Sequence, residues 1–187
     1  MGGTWDHKSQ QMVWTAHVPV AEQPAFYDVN PPRALAELIC TPTPLPGFEF
    51  DGHGEPVNAV FAISCPCGGD LFTPYAMLDD DGTALPPVVL ACAGCGRECT
   101  VFDARIHGWD GALGNAPDDE PTGDREQLDA SEIATPHQIL IRFEMASDVL
   151  GDPEWKGREQ DLFSWITVIG RDADSQELEQ LFDWECS

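Results

Sequence analysis

The chain has 187 residues, of which 33 are acidic and only 9 are lysine or arginine, so its formal net charge at neutral pH is −24. A surface of this charge repels phosphate backbones and anionic membranes, which argues against nucleic acid or a lipid surface as the partner. The length suits a single domain over residues 1–187 that buries a hydrophobic core of its own.

The sequence shows neither a membrane span nor an export signal. It contains no apolar run of about 18 residues, the length that a membrane-spanning helix needs. The N-terminal residues do not place an apolar segment after a basic one, as a signal peptide would. Seven cysteines in such a chain are typical of metal ligands and reduced thiols rather than of a disulfide framework. We therefore expect a cytoplasmic protein.

The first predicted element with a clear boundary is a short helix over residues 31–39. Asn30 suits the N-cap, because its side chain can accept a hydrogen bond from a free amide, and the prolines that follow fit the first turn. Apolar residues at helical spacing continue to Ile39. The proline-rich segment 41–47 then ends the helix and forms an extended connector.

A strand and two cysteine pairs follow. Residues 57–64 alternate apolar and polar side chains, which predicts a β-strand. This strand leads into a Cys-x-Cys pair at Cys65 and Cys67, and a Cys-x-x-Cys pair follows at Cys92 and Cys95. Glycine comes directly after each pair and suits the sharp turn that lets two thiolates reach one ion. Four thiolates fill a tetrahedral shell, so we predict one structural metal ion, with zinc favoured over iron.

The two cysteine knuckles resemble those of the zinc-ribbon family over about residues 57–104. The resemblance implies a zinc-bound hairpin, and we assign residues 57–106 to this zinc-ribbon-like part. The first knuckle differs from the commoner Cys-x-x-Cys form by one residue. We expect the hairpin to join the main sheet through the strands 57–64 and 98–106.

Other interpretations of the cysteines stay open at this point. Cys99, four residues after Cys95, could replace a cysteine of the first pair. A redox pair at Cys92 and Cys95 would need to open a helix, whereas strand-like residues follow it. Many zinc ribbons bind nucleic acid, but the acidic charge and the few nearby bases, Arg97 and Arg105, argue against that function.

The remaining strands are predicted from apolar patterning. Segments 71–78, 87–91 and 98–106 form the strands of the hairpin region. Residues 137–145 alternate most clearly, with one face apolar. Residues 161–169 are apolar on both faces, which predicts a strand that is covered on both sides.

The last predicted element is a helix over residues 175–183. Asp174 and Glu177 match a capping box, in which two side chains bond the free amides of the first turn. Together these elements indicate a mainly β protein of the α+β class. We predict an antiparallel sheet with an inserted zinc-ribbon-like hairpin and short helices.

The segment 107–111, which contains two glycines, also contains a histidine and an aspartate that are candidates for catalysis. His107 and Asp110, together with His137, would be the candidates for a metal-dependent enzyme. The sequence contains no phosphate-binding glycine loop, no Gly-x-Ser-x-Gly and no His-Glu-x-x-His motif. We therefore assign no catalytic residue and interpret the segment around Trp109 as a tight turn.

An acidic surface loop is predicted over residues 112–136, where few side chains could fill a core. With the charge of the whole chain, it indicates a non-enzymatic protein that binds a basic protein partner, as many acidic bacterial immunity proteins do. That comparison rests on charge and size. Acidic side chains steer such encounters, and partly exposed tryptophans can anchor them. The expected contact residues are Trp109, Asp118, Asp119, Glu120, Asp124 and Trp155.

Overall fold

A computed structural model describes residues 3–6, 11–14, 23–44, 57–115, 125–128, 135–145, 149–150 and 152–186. These residues form a mainly antiparallel β structure that curls into a half-barrel, with a few short helices. The predicted fold class is confirmed. None of the helices in this part of the chain is long and apolar enough to cross a membrane.

The described residues contain eleven strands and two α-helices. The strands are β1 (Gly3–Asp6), β2 (Gln11–Trp14), β3 (Ile39–Pro42), β4 (Val57–Ser64), β5 (Leu71–Leu78), β6 (Ala84–Cys92), β7 (Glu98–Phe102), β8 (Arg125–Gln127), β9 (His137–Met145), β10 (Phe163–Arg171) and β11 (Leu178–Glu185). The α-helices are α1 (Gln23–Val29) and α2 (Gly108–Leu113), and 3-10 helices occupy Arg33–Leu35 and Glu159–Asp161.

Strand β9 holds the larger sheet together. Strands β1 and β2 form a two-stranded sheet, and the other nine strands form one sheet with the order β11-β10-β9-β5-β6-β7 along its main path. Strand β10 follows one side of β9. The other side of β9 is divided between β4, which pairs with residues 140–145, and the start of β5, which pairs with residues 137–138. Strand β3 pairs with β4, and β8 pairs with β5.

One face of the sheet packs into the main hydrophobic core. In β9, Ile139, Ile141, Phe143 and Met145 are all buried. Pairing with β4 sets Phe61, also buried, opposite Ile141. Each such side chain stabilises the fold by about 1.5–3 kcal/mol when it leaves water. The alternating apolar residues of the sequence are therefore the side chains that this core buries.

The other face of β9 and β10 carries a smaller cluster. Leu140 and Ile169 lie opposite each other in the sheet and are buried, with Val60 and Ala62 packed against them. Strand β10 is consequently buried on both faces, as predicted for residues 161–169.

Several predicted strands are confirmed, and three of them have the predicted bounds. Strands β5 and β9 cover residues 71–78 and 137–145, and β4 covers 57–64. Strands β6 and β10 have shifted ends, while β7 stops at Phe102, because a turn begins at Asp103.

The helix predicted over residues 31–39 is wrong. Only Arg33–Leu35 is helical, in a 3-10 turn, and Ile39 begins strand β3. Backbone pairing of β3 with the open edge of β4 replaces the helix, because tertiary pairing outweighs a weak helical propensity. The α-helix of this region is α1, which the sequence analysis did not predict.

The helix predicted over residues 175–183 is also wrong, because strand β11 occupies this segment. The carboxylate of Asp172 accepts hydrogen bonds from the backbone N–H groups of Asp174 and Ser175, at 2.9 and 2.7 Å. The acidic side chain therefore shapes a hairpin turn between β10 and β11 instead of capping a helix. A helix cap and this hairpin turn both use a short acidic side chain that accepts hydrogen bonds from nearby backbone N–H groups.

The expected attachment of the hairpin region is half right. Strand β4 does join β9. The segment 98–106 does not pair with β9, because its strand β7 is an edge strand of the same sheet and pairs only with β6 among the described strands. The start of β5 makes the second connection instead.

Candidate metal centre

Two tight turns bring the cysteine pairs together at one end of the sheet. The first pair follows β4, and the second pair begins with Cys92, the last residue of β6. Antiparallel pairing of β5 with β6 sets Phe72 opposite Cys92. The backbone N–H of Ala93 also donates to the carbonyl of Leu71 at 2.9 Å. The sheet register therefore places the second turn directly beside the first.

Each turn is closed by its own backbone and by a glycine. In the first, the N–H of Gly68 donates to the carbonyl of Cys65 at 2.8 Å, and in the second the N–H of Gly96 donates to the carbonyl of Cys92 at 2.8 Å. Gly68 has a φ of 92° and Gly96 a φ of 72°. These values lie in the left-handed region that glycine adopts without the steric cost of a Cβ atom. The glycine spacing in the sequence therefore reflects a real turn requirement.

The four sulfur atoms form a compact cluster. The Sγ atoms of Cys65 and Cys95 are 3.7 Å apart, and those of Cys67 and Cys92 are 3.6 Å apart. All four lie within 4.8 Å of one another. Sulfur ligands about 2.3 Å from a tetrahedral ion are separated by about 3.8 Å, whereas a disulfide bond measures about 2.05 Å. The four cysteines are therefore positioned to hold a metal ion, and they are not paired as disulfides.

The cluster has a buried half and an exposed half. Cys65 and Cys92 are buried, whereas Cys67 and Cys95 are exposed. Gly69 lies behind the sulfurs, and a Cβ atom added there would come within 3.2 Å of the Sγ of Cys92. Glycine at this position thus avoids a close contact between a side chain and the sulfur atoms.

The thiols of the cluster do not ionise equally. The backbone N–H of Gly69, followed by hydrogen bonds from the neighbouring thiols, lowers the pKa of Cys67 to about 7. At Cys65 a hydrogen bond from the backbone of Cys67 acts to lower the pKa, but burial and the adjacent thiols outweigh it and raise the pKa to about 12. Of these two cysteines, Cys67 forms a thiolate more readily at neutral pH, and a bound cation would displace the proton of Cys65.

Cys99 is not a member of the cluster. Its Sγ lies 3.8 Å from Oε2 of Glu37, which also forms an ion pair of 2.8 Å with Arg97. The alternative in which Cys99 replaces a cysteine of the first pair therefore does not match the structure. Sequence analysis missed Glu37 at this end of the sheet, and no local motif marks it, since it lies 60 residues from Arg97 along the chain.

The candidate catalytic group is not assembled as a catalytic pair. Nδ1 of His107 accepts a hydrogen bond of 2.9 Å from the backbone N–H of Asp103. Asp110 lies inside α2, where its own N–H donates to the carbonyl of Cys186. His137 is fully buried in β9 and lies 3.2 Å from the hydroxyl of Thr135. Among the described residues, only the four cysteines form a group suited to a metal ion.

The two proposed tryptophan anchors lie next to each other. The ring centroids of Trp109 and Trp155 are 5.8 Å apart, and both side chains are partly exposed. Trp109 lies in the first turn of α2, where a tight turn was expected. The four predicted acidic contact residues, Asp118, Asp119, Glu120 and Asp124, lie outside the described residues, as does much of the loop 112–136.

Comparisons with known proteins assign no family to this chain. No family model matches it, and neither curated proteins nor solved structures give a significant match. The likeness to zinc ribbons therefore rests on the four cysteines and their two turns, and any function has to be argued from the site itself.

Proposed function

We propose that Cys65, Cys67, Cys92 and Cys95 bind one structural zinc ion in a non-enzymatic protein that acts by binding a basic protein partner. The observation that carries the metal part is the sulfur cluster, with cross-pair distances of 3.6 and 3.7 Å. Sulfur ligands prefer zinc or iron, and zinc is the commoner ion in a closed four-cysteine site built from two turns.

A structural role follows from the number of ligands. Four thiolates complete the tetrahedral shell of zinc, so no position remains for a substrate or a reactive water molecule. The ion would connect the turn after β4 with the turn after β6, which are far apart in the sequence. Because the metal binds only the folded arrangement, its binding free energy adds to the stability of the fold.

The charge distribution supports a basic partner. Five arginines of the described part form ion pairs with acids of the same chain, so much of their positive charge is already balanced. These pairs include Arg97 and Arg105, the bases considered for nucleic acid. With a net charge of −24, the field outside the protein attracts a basic surface. The paired residues are Arg33–Asp161, Arg97–Glu37, Arg105–Asp103, Arg125–Glu98 and Arg142–Glu144.

The tryptophan pair supports an anchor for that partner. Trp109 and Trp155 present neighbouring, partly exposed rings. Large aromatic side chains contribute most where an interface excludes water, and the acidic side chains of the chain would steer the approach. We place the contact surface at this pair and at Asp118, Asp119, Glu120 and Asp124.

Metal analysis tests the first part of the proposal. We expect one equivalent of zinc in the purified protein, and loss of that equivalent together with loss of cooperative unfolding in Cys92→Ser and Cys95→Ser. Cys40→Ser is the matched control, since Cys40 lies outside the cluster, and it should keep the metal. Zinc-free protein that is folded and stable would contradict a structural ion. Loss of metal with the fold intact would point to a working site instead.

Partner capture tests the second part. The wild type, bound to a support at moderate salt, should retain a basic protein from the native cell. Neutralising Asp118, Asp119, Glu120 and Asp124 to their amides should release it. A control in which four exposed acids elsewhere are neutralised equally keeps the net charge matched. Recovery of no partner, or equal recovery by both variants, would contradict the proposal. The control acids are Asp28, Asp80, Asp81 and Asp174.

A further inference from the structure

A cavity of about 340 Å³ lies away from the cysteine cluster. It opens to solvent on one side. Its lining comes from the 3-10 helix Arg33–Leu35, from residues 106–107 and 111–112 before and within α2, and from the 3-10 helix Glu159–Asp161 with the residues that flank it. Its volume falls in the range of small-molecule sites, about 300–1,000 Å³. The sequence analysis did not predict it, because its walls come from three distant parts of the chain.

The net charge of the cavity lining is opposite in sign to the net charge of the protein as a whole. Arg33 and Arg158 line it, and Asp161 is the one acid among the lining residues. Asp161 is already paired with Arg33 at 3.0 Å. The lining thus carries one net positive charge inside a chain of net charge −24. A local reversal of this kind favours an anionic ligand.

A third polar group is fixed in orientation. The backbone N–H of Asp103 donates a hydrogen bond to Nδ1 of His107, and the backbone N–H of His107 donates one to the carbonyl of Asp103. Both hydrogen bonds measure 2.9 Å. Because Nδ1 accepts, the neutral ring carries its proton on Nε2, which becomes a hydrogen-bond donor. The imidazole that lines the cavity is therefore held in one tautomer and one position before any ligand arrives.

The two guanidinium groups are also anchored. Arg33 donates to the carbonyl of Gly157, and Arg158 donates to the carbonyl of Ala112. These bonds use part of the five N–H donors of each group. Gly111 lets α2 approach the preceding turn, since a Cβ atom there would lie 2.7 Å from the carbonyl oxygen of Ala104. A preorganised site loses less free energy when it binds a ligand.

The remaining wall is apolar. Phe163 is buried, and Ala34, Ile106 and Ala112 complete the lining beside it. A purely ionic ligand would leave these groups in contact with nothing but water. A ligand with an apolar body would cover these side chains and remove their apolar surface from water, which favours binding.

We propose that this cavity binds a small organic carboxylate with an apolar body. A carboxylate matches the planar fork of a guanidinium, and its single charge balances the one net positive charge of the lining. A phosphate dianion would leave a negative charge uncompensated in the field of an acidic protein. This inference is independent of the zinc site and of the basic partner.

Calorimetric titration of the metal-loaded protein tests the inference with benzoate and hexanoate as probes. We expect one site with millimolar or tighter affinity for at least one of them. Benzamide and hexanamide have the same bodies without the charge, and we expect them to bind at least about tenfold more weakly, because they cannot form a charged hydrogen bond with a guanidinium. Inorganic phosphate should not displace the bound carboxylate.

Three variants locate the site. Arg158→Gln should weaken binding about tenfold by removing a charge, and Ala34→Leu should weaken it by filling the cavity while every charge stays. Arg125→Gln is the matched control, since it removes an ion-paired arginine from strand β8 and should leave the affinity unchanged. Thermal unfolding of each variant shows whether it is folded. Lack of binding by both carboxylates, equal binding of the amides, or affinity unchanged in both cavity variants would overturn the inference.

Discussion

Gly108 lies directly against Cys186, because a Cβ atom at position 108 would come within 2.6 Å of the Cys186 sulfur. The same glycine has a φ of 74°. The contact is reinforced by the N–H of Asp110, which donates to the carbonyl of Cys186 at 3.2 Å. Helix α2 is thus seated on the residue that follows β11, and only glycine allows the contact.

Gly108→Ala should therefore destabilise the protein strongly. Its added methyl group meets both an unfavourable φ and a filled space, so we expect a loss of about 2–4 kcal/mol in the free energy of unfolding. Gly114→Ala is the control, since Gly114 has a φ of 75° but nothing within 4 Å of an added Cβ atom. It should lose about 1 kcal/mol from backbone strain alone. Urea unfolding of both variants checks this, and equal losses would contradict the packing argument.

Cys99→Ser should leave the metal content unchanged. The sulfur of Cys99 lies next to Glu37 and outside the cluster, so its removal takes away no ligand. Cys67→Ser, in contrast, should abolish high-affinity binding. Elemental analysis of both purified variants distinguishes the two cysteines. Metal loss in Cys99→Ser with retention in Cys67→Ser would show that the ligand set is misassigned.

Cys40 and Cys186 should resist alkylation in the folded protein. Burial raises the pKa of Cys40 to about 11 and that of Cys186 to about 12, so very little reactive thiolate exists at neutral pH. Iodoacetamide treatment followed by peptide mass spectrometry should find both unmodified in the native state and modified after unfolding. Rapid native modification of Cys186 would show that its environment opens readily.

His107 should make the protein less stable in mild acid. Burial lowers the pKa of His107 and outweighs the nearby carboxylates of Asp103 and Asp161, which act to raise it. The unfolded chain then binds a proton more readily than the folded chain, so the free energy of unfolding falls as the pH drops through about 6.5.

The measurement compares urea unfolding of the wild type and His107→Gln at about pH 7.5 and about pH 5.5. Protonation of the cysteines in acid weakens metal binding equally in both proteins, so the difference between them isolates the histidine. The variant should lose less stability on acidification than the wild type does. Identical losses would argue against a buried neutral ring at His107.

The strands and the sulfur cluster could be predicted because their signals are local. Residues 137–145 alternate with the same period as the core that buries them. Cys65 and Cys67 are followed by Gly68, whose φ of 92° matches the turn that the motif requires. In both cases the structure is determined by residues that are close together in the sequence.

One wrong prediction, the helix over residues 175–183, arose because the same side chains can cap a helix or close a hairpin turn. The acidic group near Asp174 was interpreted as a helix cap, yet the carboxylate of Asp172 closes a hairpin turn by bonding the same kind of backbone amide. The contact of Trp109 with Trp155 and the pairing of Ile39 with Ser64 depend on residues distant in sequence. No local pattern contains such information.

The divided edge of β9 has a mechanical consequence. The pairing partner of β9 changes from β4 at Leu140 to β5 at Gln138, and residues 65–70 span the gap between the two branches. An ion bound by Cys65 and Cys67 on this short bridge, and by Cys92 and Cys95 in the turn after β6, would link the two branches where they separate. Without the ion, the turn after β6 would lose this link to the bridge, and the two branches would be connected by β9 and by the hydrophobic core that they share.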